Sequence, residues 1–110
     1  MSVESADVVD LVGVENTSGH VILTISDHLD WTDERAHLQL LEDKINRYLS
    51  FVESGELEGT YPDAKDRHVV IDVVMKYEPV SAARDFLLKA ASVVASAGMT
   101  LRFGTLKRSN

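Results

Sequence analysis

The run Ser26–Glu34, SDHLDWTDE, is the densest polar cluster in the chain. Asp27, His28, Asp30 and Asp33 are all possible metal ligands, and His37 follows Asp33 by four residues, one helical turn along the same face. Such a set would suit a metal-assisted enzyme or a small-ligand binder. Its spacing is that of neither an EF-hand loop nor a HExxH zinc site, and acidic residues ahead of a helix are favoured by capping and the helix dipole alone. Trp31, just before the expected helix cap, reads as an apolar lid on the helix start.

Other chemistry is thinner. His20, His28, His37 and His68 could each act as a general base, but a base needs a partner within hydrogen-bond reach, which sequence does not supply. Thr24 and Ser26 lack a nucleophile-elbow context, and no glycine-rich phosphate loop occurs. There is no cysteine, which removes thiolate metal sites, disulfides and cysteine nucleophiles. Enzyme status is therefore disfavoured and no cofactor is implied. Tyr61, with Pro62 and Asp63, could form a recognition tip in the long segment from Gly55 to Arg67, though a Tyr-Pro-Asp turn is also an ordinary chain reversal.

The elements that would position these residues are legible from periodicity. Asp7 to Glu15 is rich in Val and Leu, and His20 to Asp27 alternates, with Val21, Leu23 and Ile25 on one side. Asn16 to Gly19 supplies turn chemistry, so the two strands form a hairpin. The facing of the first strand is open, since Val8, Val12 and Val14 compete with Val9 and Leu11 for the inside. A helix then starts at Thr32 as N-cap and carries Leu38, Leu41, Ile45, Tyr48, Leu49 and Val52 on one stripe. Asp43 and Arg47 are spaced as an exposed pair, and Gly55 suits a left-handed helix end.

Gly55 to Arg67 shows no period and reads as a loop with at most one short turn. His68 to Tyr77 alternates again and is the candidate for the central strand, with Val69, Ile71, Val73, Met75 and Tyr77 on the face turned to the helices. Pro79 breaks it, Ser81 can cap a second helix, Gly98 ends that helix, and Leu101 to Leu106 makes a last strand. The fold class is α+β, in ββαβαβ order, with a four-stranded mixed sheet and two helices packed on one face. Residues 1–110 form a single domain without repeat or linker.

If the odd residues of the third strand are inside, Val70 and Val74 point outward, joined by Ile22 and by Val12 and Val14 if those also face out. Such an outer face is partly apolar and asks for a cover; a homo-oligomer, most simply a dimer, would supply one. The same residues also serve as plain strand formers.

The 110 residues carry 11 basic and 18 acidic groups, a formal net charge of −7. That repels phosphate backbones, argues against nucleic-acid binding and makes a basic protein an easier partner. No stretch reaches the roughly 20 apolar residues of a membrane span, and the first residues do not resemble a secretory signal, so a cytoplasmic location is expected.

The blocks SDHLDW, HLQLLEDKINRYLSFVESGEL, YPDAKDRHVVIDVVMKYEP and GMTLRF, in that order, resemble a small bacterial single-domain family of unknown function. The resemblance spans most of the chain and brings no catalytic residues with it. Three functions remain in view. One is a non-catalytic interaction module that self-associates through its outer sheet face (Ile22, Val70, Val74), an edge strand or the Tyr61 loop. Another is an acidic, immunity-type inhibitor of a basic toxin. The last is the metal-assisted enzyme or ligand binder built on Asp27, His28, Asp30, Asp33 and His37.

Overall fold

The computed structural model describes residues 11–105, folded as β1 (Leu11–Val14), β2 (Val21–Asp27), α1 (Glu34–Glu53), a short α2 (Glu56–Thr60), a 3-10 turn (Pro62–Ala64), β3 (Val69–Met75), α3 (Ser81–Ser96) and β4 (Thr100–Thr105). The sheet order is β1-β2-β3-β4, with β1 antiparallel to β2 and the other neighbours parallel. The four-stranded mixed sheet, its strand order along the chain and the hairpin match the sequence expectation. Residues 7–10 and Leu106, expected in the first and last strands, lie outside the described residues.

Parallel pairing of β2 with β3 and of β3 with β4 requires a crossover each time, and α1 and α3 provide the two crossovers. Alternation in the strands decides which face they cover. Val21, Leu23 and Ile25 of β2 and Val69, Ile71, Val73 and Met75 of β3 form one core with Leu41, Ile45, Tyr48 and Phe51 of α1 and Leu87 and Val94 of α3. The Tyr48 hydroxyl donates to the Thr24 carbonyl at 2.8 Å, so the ring is buried without losing its polar partner. Gly55 and Gly98, at φ +88° and +84°, take the left-handed conformation that ends α1 and α3.

Several local expectations are corrected. The cap of α1 is Asp33, not Thr32: its carboxylate accepts from the Ala36 N–H, while the Thr32 N–H is engaged by Asp30. Ser81 is the first helical residue of α3, behind Val80 at the cap position, and no side chain caps that end. Arg47 reaches Glu56 of α2 at 3.4 Å, while Asp43 accepts from Gln39. The segment after Gly55 holds α2 and a 3-10 turn, where one short turn at most was expected. β3 stops at Met75, leaving Tyr77 exposed.

The register also settles β1. Val12 and Val14 oppose Leu23 and Val21, and opposed residues share a face, so both valines lie on the helix side of the sheet and add nothing to its outer face.

Candidate functional site

At the junction of β2 and α1 the chain turns sharply, and four carboxylate and imidazole groups hold the turn. Asp27, the last residue of β2, is buried; its Oδ1 accepts from the Leu29 N–H at 3.1 Å. Its Oδ2 lies 2.5 Å from Nε2 of His37, which is buried on the first turn of α1. The other ring nitrogen, Nδ1, is 3.0 Å from the Asp30 carbonyl. A carbonyl can only accept, so Nδ1 carries a proton. Nε2 is thereby turned toward Oδ2, and a proton between the two makes this contact a charge-assisted hydrogen bond.

Trp31 closes this unit from above. Its ring stacks on that of His37, centroids 3.7 Å apart at 18°. Its indole N–H is buried and has no hydrogen-bond partner among the described residues. The sequence reading of Trp31 as a lid agrees with this placement, and the surface it covers is an imidazole.

Asp30 and Asp33 serve the backbone. Asp30 is exposed and accepts from the Thr32 N–H, and that bond, with a second from the Thr32 hydroxyl, holds its carboxyl below the usual carboxylate range; the nearby His37 adds to the effect and partial desolvation opposes it. A depressed folded-state value means a contribution to stability that is complete above the ordinary carboxylate range and is lost as pH falls through the depressed value. Asp30→Asn is therefore expected to leave neutral-pH behaviour nearly intact and to make the urea midpoint less steeply dependent on pH below about pH 4, measured against the parent chain.

The structure thus brings Asp27 and His37 together as a buried pair and leaves Asp30 and Asp33 on separate turns, with His28 exposed. Both nitrogens of His37 are engaged. Among the described residues no three His, Asp or Glu side chains converge in a way that would hold a metal ion. His20 and His68 meet edge-to-face at 5.0 Å, and Nε2 of His68 is 2.8 Å from the Thr100 hydroxyl.

The surface residues expected at an interface are spread over two places. On the outer sheet face Ile22 and Val74 are half-buried, while Val70 is only 4% exposed, set between Ile22 and Thr100 of the flanking strands. Asp72 on the same face pairs with Arg102 at 3.4 Å. Tyr61 lies elsewhere, beside the β1 edge, and is 42% exposed; Val14, across the groove from it, is 43% exposed. The groove between them, about 380 Å³, is lined by Val12, Val14 and Val21 on the sheet side and by Tyr61, Pro62 and Ala64 on the other. Among the described residues β1 pairs only with β2, so its far edge is open. Sequence reasoning named Tyr61 but had no means of joining it to Val14, because 47 positions separate them and α1 intervenes.

The chain belongs to a family of unknown function, DUF6572, whose model matches residues 1–107. Neither the curated proteins nor the solved structures contain a match to it. Among the described residues no helix is long and apolar enough to cross a membrane.

Proposed function

We propose that this chain is a non-catalytic protein–protein interaction module that self-associates. The observation that carries the reading is the β1 margin, where two apolar side chains, Val14 and Tyr61, stand more than two-fifths exposed on either side of an apolar groove beside an unpaired strand edge. Open edges with apolar flanks are templates for another chain, and proteins that keep them bare normally blunt them with charge, proline or a bulge. The described part of β1, LVGV, has none of these. The acidic and imidazole side chains that could have suggested catalysis support the same reading, since Asp27, Asp30, Asp33 and His37 are used in turn, cap and pair contacts.

Two copies each bearing a formal charge of −7 repel one another. Self-association is accordingly expected to strengthen as ionic strength rises from about 0.01 M to about 0.15 M, over which the screening length falls from about 30 Å to about 8 Å. A basic partner, such as the toxin that an immunity-type inhibitor would neutralise, gives the reverse dependence, because salt weakens an attraction between opposite charges. Sedimentation equilibrium across micromolar concentrations at both salt levels separates them. A strict monomer throughout rules out the self-associating module.

A further inference from the structure

We propose that the open edge of β1 is taken by β1 of a second copy, added antiparallel across a two-fold axis at Gly13; the inference rests on the self-association proposed above. Its first support is the hydrogen-bond phase of the strand. Opposed residues in an antiparallel pair alternate between exchanging both main-chain bonds and exchanging none. The Glu15 N–H donates to the His20 carbonyl at 2.9 Å, and the register continues as Gly13 opposite Ile22 and Leu11 opposite Thr24. The odd residues of β1 are therefore the ones bonded to β2. The N–H and C=O groups of Val12 and Val14 point the other way, into the free edge.

A two-fold axis perpendicular to the sheet keeps the helices of both copies on one side, and then opposed residues must share a facing. Val12 of one copy against Val14 of the other meets both conditions. The two residues have outward main-chain groups, and both side chains lie on the helix side. Each such pair exchanges both main-chain bonds, and the valines of the incoming strand enter the groove between β1 and Tyr61. The same patch serves both partners, so the assembly closes as a dimer with a continuous sheet.

In this register Gly13 opposes itself at the axis, in the closely spaced non-bonded position where Cα atoms approach to about 4.5 Å. A Cβ added at Gly13 meets no atom within 4 Å, and its backbone is not left-handed, so a side chain there is tolerated by the monomer. The distance suits a disulfide, and the protein has no cysteine of its own.

The test uses the full chain with Gly13→Cys under a mild glutathione redox buffer, and Ser50→Cys, on the exposed face of α1, as the collision control. Gly13→Cys is expected to form a covalent dimer about a thousandfold faster than the control, the gain of a millimolar local concentration over micromolar collision. Val14→Pro removes an outward N–H and no bond to β2, so it should stay folded by circular dichroism and lose the dimer. A dimeric parent whose Gly13→Cys cross-links no faster than Ser50→Cys, or whose Val14→Pro form remains dimeric, overturns the β1 pairing and leaves self-association standing. A monomeric parent overturns both.

Discussion

Asp27→Ala is expected to destabilise the fold by about 2–6 kcal/mol, because the buried His37 imidazole and the Leu29 N–H each lose a hydrogen-bond partner, at about 1–3 kcal/mol apiece. Against a total of roughly 5–15 kcal/mol for a domain, that is a large share. The reason lies in what the substitution strands. His37 stays buried under Trp31 with Nδ1 tied to the Asp30 carbonyl, and its Nε2 loses the one group it faces. The Leu29 N–H loses its acceptor at the same time. Asp27→Asn separates loss of the contact from loss of the charge. An amide can still accept from Leu29 through its oxygen and donate to Nε2 through its nitrogen, with a neutral ring that keeps its Nδ1 proton. Its expected loss is about 0.5–1.5 kcal/mol, an ordinary hydrogen-bond difference. His37→Ala and the double Asp27→Ala/His37→Ala complete a cycle with a coupling of about 1–3 kcal/mol. Urea unfolding followed by the fluorescence of Trp31, the only tryptophan, gives all four values; additive losses, or an Asn variant as damaged as the Ala one, would show that the pair is not acting as described.

The contrast between that pair and the strands explains what sequence could and could not supply. Leu23, Ile25, Ile71 and Val73 were placed by a period of two, a property of each segment by itself, and no knowledge of neighbours is needed to read it. α1 was placed in the same way from Leu41, Ile45 and Tyr48. Lys44 and His37 lie on the buried side of the same helix, Lys44 fully so with its ammonium 5.5 Å from the Tyr48 ring centroid. A stripe drawn from apolar residues leaves both out, because their burial depends on partners from other parts of the chain. The sequence places His37 among the right acids, but its helical spacing matches Asp33, whereas the ring meets Asp27, ten residues away across the strand–helix turn.

α2 and the 3-10 turn, where the sequence suggests one short turn at most, leave little trace for another physical reason. Five and three residues are too few to show a period, and Leu57 and Ala64 are the only side chains that anchor them in the core. The facing of β1 was undecidable because valine or leucine occupies both parities of that segment. Only the register against β2, which depends on the length of the Glu15–His20 connection, fixes Val12 and Val14 on the helix side.

Ile71→Ala is the sharpest test of the layer order. Ile71 is fully buried at the middle of β3, opposed by Leu23 on one side and Leu101 on the other, within the core shared by both long helices. Truncating it removes the transfer free energy of the side chain and opens a cavity that a strand held on both edges cannot collapse, so the expected loss is about 2–5 kcal/mol. Val93→Ala provides the comparison on the helix layer, since that side chain is 60% exposed and its loss is expected to stay within about 0.5 kcal/mol. Both are read from urea midpoints at constant m-value, so that a change in the unfolded state is not mistaken for lost packing. Equal effects at the two positions would mean that β3 is not the strand enclosed between its neighbours and the helices, and the helix-side facing assigned to Val12 and Val14 through the same register would fall with it.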